Sequence, residues 1–177
     1  MSSRSVGSTA DLVEISYLQH LIRMFPDVPM VLLHASYPYT REAGYLATVY
    51  PNVYLDFGLV FPMLSKHGQK SVVHQMLELT PYSKLLWSSD GHWFAESFAL
   101  AALQTRETLG EVLQELVVDG VLSYAQAADL ARAVLFENSN RLYDLQLQPD
   151  WDNAAFAPSP SPPSPLPPSA SRPPPAP

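Results

Sequence analysis

The chain has 177 residues, no cysteine and a net charge of -7, enough for one domain with a real core. Its acidic balance lacks the basic patch that phosphate-backbone binding needs, so nucleic acid is not an expected partner. Without cysteine there are no disulfides, no thiolate catalysis and no Cys-ligated zinc, which leaves His and carboxylates as metal ligands.

Residues 1–10 are Ser-rich, carry one Arg and contain no apolar run. They read as disordered, with neither a secretory signal nor a transit peptide. No segment approaches the ~18 apolar residues that span a bilayer, so no membrane contact is expected and a cytoplasmic location is the default. From Asp11 to Phe25, Leu12, Ile15, Leu18, Leu21, Ile22 and Phe25 recur at spacings of three and four, which predicts a helix. Pro26 and Pro29 end it. The run Met30–Leu33 is apolar at every position, as in a parallel strand covered on both faces, and His34 follows it directly.

Thr40–Val49 reads as a short helix capped by Thr40, with Glu42 in its first turn. After the turn at Pro51-Asn52, Val53–Phe57 is a second strand, ended by Gly58. Ser71–Leu79 is helical and extends toward its N-terminal side; Pro81 breaks it. Lys84–Ser89 is the third strand, and Asp90 ends it. Helix and strand alternate, the pattern of α/β folds with parallel strands. Beyond Asp90 the pattern is helical only. Phe94–Leu103 and Glu107–Val118 are read as two pieces, the second stopped by Gly120. Ser123-x-x-Gln126 fits a capping box opening a further helix that runs toward Tyr143. Residues 11–148 form the predicted folded domain. Residues 149–177 are a Pro- and Ser-rich tail that cannot bury enough apolar surface to order. Its PxxP spacings, Pro162 to Pro165 and Pro165 to Pro168, suit an SH3- or WW-type groove, but a solvated tail is the simpler reading.

Two strand ends carry the candidate chemistry. In parallel barrels, catalytic groups sit at the C-terminal ends of the strands. His34 there is a general acid/base or a metal-proximal imidazole; the competing reading is a structural histidine at a loop start. Asp90 is a metal ligand or proton acceptor, or else a helix cap or turn residue. Tyr37, His92 and Trp93 are candidate pocket residues, with a solvated loop position as the alternative for His92. Asp56 ends the middle strand, where backbone bracing is the simpler role. His20, His67 and His74 read as surface residues. Neither His-x-His nor His-Glu-x-x-His occurs, and no phosphate-binding glycine loop is present.

The segments VLLHASYPYTREAGYLATVYPNVYLDFG, LLWSSDGHWFAES and ENSNRLYDL resemble the C-terminal half of the amidohydrolase-related family of metal-dependent TIM-barrel hydrolases and decarboxylases. The same segments resemble the amidohydrolase-like domain fused to glutamine synthetase in fungal and plant proteins. The resemblance spans about Leu12 to Leu145. It implies a partial (β/α)8 barrel, about strands six to eight with flanking helices. His34 matches the histidine after strand six, which polarises substrate or steers a metal-bound water, and Asp90 matches the aspartate after strand eight, a metal ligand. The family's His-x-His after strand one and its histidine after strand five have no counterpart. The resemblance thus implies a small carbonyl or amide substrate and a divalent metal, Zn or Mn, in the parent family. For this chain the expectation is a fragment with weak or absent metal binding and no turnover alone. The alternative is a non-catalytic fragment that self-associates through an open sheet edge or binds through its tail.

Overall fold

The structure, a computed structural model, describes residues 18–149, and those up to Leu147 lie in one compact unit. The expected disordered start, the tail with its PxxP spacings, and Leu12 and Ile15 of the first helix fall outside the described residues.

The sheet has three parallel strands in the order β1-β2-β3. Helix α1 (Leu18–Met24) precedes β1 (Met30–Leu32), and α2 (Thr40–Val49) connects it to β2 (Val53–Asp56). A short α3 (Val60–Met63) and the longer α4 (Lys66–Leu79) lead to β3 (Leu85–Leu86). The register sets Met30 against Val53 and Leu55 against Leu85. This three-strand parallel layer is the α/β architecture that the alternating pattern predicts. Helices α2, α4 and α5 (Ala95–Val118) pack side by side. Their apolar faces meet the strands in a core that includes Leu46, Val53, Leu55, Val73, Met76, Leu85 and Val112.

Several expectations need correction. β1 is half-buried at all three positions rather than covered on both faces, because among the described residues β2 is its single strand neighbour. The third strand is two residues long, not six; past Leu86 the chain turns away from the β2 ladder. Thr40 does not cap α2: Tyr39 holds the cap position without a side-chain bond, and Thr40 is buried inside the first turn. The two helices expected after Asp90 are one, α5. The segment between them, Gln104-Thr105-Arg106, contains neither Gly nor Pro, and Thr105 is buried against Trp87, whose Nε1 donates to its hydroxyl at 2.8 Å. α4 begins at Lys66, capped by the Ser65 hydroxyl accepting from Gly68 N.

Elsewhere the local signals hold. Gly120 takes φ 72° after α5, and Val121 N donates to Leu116 O across that turn, the left-handed stop that glycine permits. The Ser123–Gln126 capping box is formed on α6 (Tyr124–Arg132). A π-turn at Ala133–Glu137 joins α6 to α7 (Asn138–Leu142). Asn138 is buried, and its Nδ2 donates to Tyr82 O at 2.7 Å and Leu85 O at 2.8 Å. Arg141 donates to Asn138 Oδ1. The Asn-Ser-Asn-Arg segment therefore fastens the closing helix to the start of β3.

Candidate functional site

The C-terminal ends of all three strands open onto one side, and each loop there contains a non-glycine residue in left-handed backbone. His34 has φ 60°, Leu59 φ 61° and Asp90 φ 47°. Ala35 and Ser36, at φ 52° and 49°, continue the turn after β1. A Cβ crowds the carbonyl in this region, at a cost of about 1–2 kcal/mol per residue. Strain of this kind gathers at sites where a side chain must be aimed rather than merely packed.

The aim here is mutual. His34 Nε2 lies 3.5 Å from Asp90 Oδ2. Strands two places apart are roughly 9–10 Å apart, so the two side chains bridge the end of β2 to meet. Their side chains are 43% and 37% exposed, open enough to meet a substrate. Below them, Asp56 is 3% exposed. Its Oδ2 accepts from Gly58 N at 3.0 Å and from Ser88 Oγ at 2.9 Å. Burial pushes the Asp56 carboxyl above its ordinary value. The Ser88 and Gly58 bonds and the His34 imidazole pull it back, and the Asp90 carboxylate adds to the upward push.

A cleft of about 220 Å³ lies beside His34, lined by Tyr37, Leu59, Val60, Met63 and Leu64. Tyr37 thus stands with His34. His92 and Trp93 do not line this cleft; they lie beyond Asp90, where His92 Nδ1 is 2.8 Å from Asp90 O and Trp93 is 89% exposed. Asp90 caps no helix: Phe94 holds the cap position of α5. The apolar wall from Leu59 to Leu64 was not legible as a site, because Leu and Val at such spacing read as core. The Ser88–Asp56 tie joins residues 32 apart and leaves no local pattern.

His20 and His67 are exposed. His74 pairs with Glu115 at 3.2 Å. A larger groove of about 580 Å³, lined by Arg41, His67, Lys70, His74 and Glu115 among others, lies on the helices rather than the strand ends. Its Lys70 and His74 are already paired with glutamates on α5.

The donor set bears on metal binding. Two tetrahedral zinc ligands at 2.0–2.1 Å stand about 3.3 Å from each other, close to the His34–Asp90 spacing. A catalytic zinc, however, takes three protein ligands. No group of three or more His, Cys, Asp or Glu among the described residues is placed to hold a metal, and all five histidines of the chain are described. Asp56 already accepts two hydrogen bonds. The described residues alone do not fit a closed metal centre.

Comparison with known proteins gives a consistent picture. Residues 5–145 match the family model described as Amidohydrolase. Protein fluG of Emericella nidulans is 54% identical over 134 residues, which is 76% of this chain and 16% of that protein. A crystal structure of a "putative metal-dependent hydrolase" from Lactobacillus casei aligns with a TM-score of 0.64 and 34% identity, over 76% of this chain and 34% of that one. The chain therefore spans about a sixth of the curated relative and a third of the solved structure.

Proposed function

Because the chain belongs to the amidohydrolase family, we propose that it is the strand-six-to-eight portion of a metal-dependent amidohydrolase barrel, with His34 and Asp90 as its contribution to the active site. The contact between these two side chains, reached from strands two apart through left-handed backbone, carries the reading. The substrate class is a small carbonyl or amide compound. In this role Asp90 accepts a proton and would be one protein ligand of a divalent cation, the others coming from outside the described residues. In the same reading His34 Nε2 donates to the carbonyl oxygen, and Tyr37 with the Leu59–Leu64 wall holds the remainder of the substrate. The cation supplies polarisation of the substrate oxygen when bound. With one imidazole and one carboxylate at hand, the chain alone binds metal weakly and does not turn over.

Zinc and manganese titrations of the purified chain, with metal content after dialysis, test this. The expected result is weak binding that dialysis removes and that Asp90→Ala abolishes. One tightly held equivalent would overturn the weak-binding reading. Binding that survives unchanged in Asp90→Ala would overturn the assignment of Asp90.

A second, non-catalytic reading has its own support. Among the described residues β1 and β3 each have one strand neighbour, and Trp93, Phe94 and Leu103, which follow β3 in the chain, are exposed. Unpaired strand edges invite association, and here the partner is a second copy of the chain. Light scattering separates the readings: a monomer at all concentrations removes this one.

A further inference from the structure

We propose that Asp56 is a positioning residue for the His34–Asp90 pair, acting through the Ser88 hydroxyl. The inference rests on reading that pair as the site. Past Leu86 the chain leaves the ladder, with Phe57 N donating to Leu86 O as the backbone rung. Trp87 then turns toward α5, where its Nε1 is bound by Thr105. The bonds of Ser89 and His92 stay inside the loop, Gly91 N to Ser89 Oγ and His92 Nδ1 with Asp90 O. They shape the loop but do not fix it to the sheet. Ser88 Oγ supplies the tie to β2, two residues before Asp90, by donating to Asp56 Oδ2 at 2.9 Å.

Gly58 is the second part of the device. Its N–H donates to the same oxygen at 3.0 Å, holding the carboxylate turned toward Ser88. A Cβ on Gly58 would collide with the Ser88 hydroxyl, so the close approach needs glycine. His34 and Asp90 both act electrostatically on the Asp56 carboxyl. Asp56 itself is too buried to meet a substrate. Its effect on the site runs through the position of Asp90.

Site-resolved carbethoxylation of the metal-free protein by diethylpyrocarbonate, read by peptide mass spectrometry, tests this. Exposed His20 and His67 serve as internal references. Asp90→Ala frees the His34 imidazole and raises its rate relative to those references by roughly two- to fivefold, the range of an exposed ion pair. Ser88→Ala and, independently, Gly58→Ala produce the same rise. The double variant Ser88→Ala with Asp90→Ala reacts no faster than Asp90→Ala alone. If Ser88→Ala and Gly58→Ala leave the His34 rate at the wild-type value while Asp90→Ala raises it, the positioning role is overturned and the pair stands. Additive rates in the double variant overturn it as well. An unchanged rate in Asp90→Ala removes the pair itself, and with it the reading of the site. A purely packing role for Ser88 would lower the melting temperature of Ser88→Ala without moving the His34 ratio.

Discussion

Asp56 shows how a single side chain ties stability to the strand-end chemistry. Its carboxyl is raised above 3.8, the ordinary value, first by burial. A raised carboxyl binds its proton more tightly in the folded state than in the unfolded chain, so folding is favoured by protonation. That contribution is complete below 3.8 and fades as pH rises through the folded value. In urea unfolding across this window the wild type should therefore lose stability relative to Asp56→Asn as pH rises. The amide can still accept from Ser88 and Gly58 while carrying no charge. A wild-type slope in Asp56→Asn would assign the pH dependence to another group. The exposed carboxylates run the opposite way. Glu111 is lowered first by its bond to Lys70, and Glu115 likewise, so their stabilisation is present above the ordinary value and is lost in acid.

At the scale of elements, buried amides do what apolar packing cannot, because they name their partners. Gln69 on α4 is buried; its Nε2 donates to Phe61 O and Leu64 O, and its Oε1 accepts from Thr108 Oγ1 at 2.9 Å. One side chain thus joins α3, α4 and α5. Gln69→Leu strands a buried carbonyl and the Thr108 hydroxyl, each at roughly 1–3 kcal/mol, so a loss of about 3 kcal/mol is expected in urea unfolding. Adding Thr108→Val should recover about 1 kcal/mol, since the hydroxyl then needs no partner. A cycle without coupling would show that the contact carries no energy. Such ties also mark how far sequence reading reaches. β1, β2, the Ser123–Gln126 box and the Gly120 stop were legible because each is written within a few neighbouring residues. His34 and Asp90 stood out as polar residues at the ends of strand runs, His34 directly after Leu33 and Asp90 after Ser88-Ser89, while their contact at 3.5 Å exists only in the fold. The single span of α5 was missed because a polar Gln-Thr-Arg segment looks like a break, whereas Thr105 is buried by a contact with Trp87 18 residues away. The Asp56–Ser88 tie and the Leu59–Leu64 cleft wall exist only once the strands are side by side.

Across the compact unit that ends at Leu147, the distribution of apolar surface is uneven. The C-terminal half of α5 follows the usual division, with Leu109, Val112 and Leu113 inside and Glu107, Glu111 and Glu115 paired with Lys66, Lys70 and His74 of α4 outside. The N-terminal half does not. From Ala95 to Leu103 its one charged residue is Glu96, while Phe98, Leu100 and Leu103 are exposed alongside Phe94. A helix this apolar over several turns is normally covered, and exposed patches of this kind mark association surfaces. β3, the element just before it, has β2 as its one strand neighbour among the described residues. Phe94 and Leu103 are the positions to change, being 71% and 65% exposed; Phe98 is unsuited because its ring packs against Gly91. Phe94→Lys with Leu103→Glu should leave the melting temperature within the small range typical of surface changes, about 0.5 kcal/mol in stability. The same pair should shift the chain toward monomer in concentration-dependent light scattering. If the wild type associates and the double variant associates equally, the contact runs through the β1 edge instead, where Val28 and Leu33 are exposed. Charged substitution at Leu33 then becomes the decisive variant, because Leu33 directly precedes His34 and association there would cover the site.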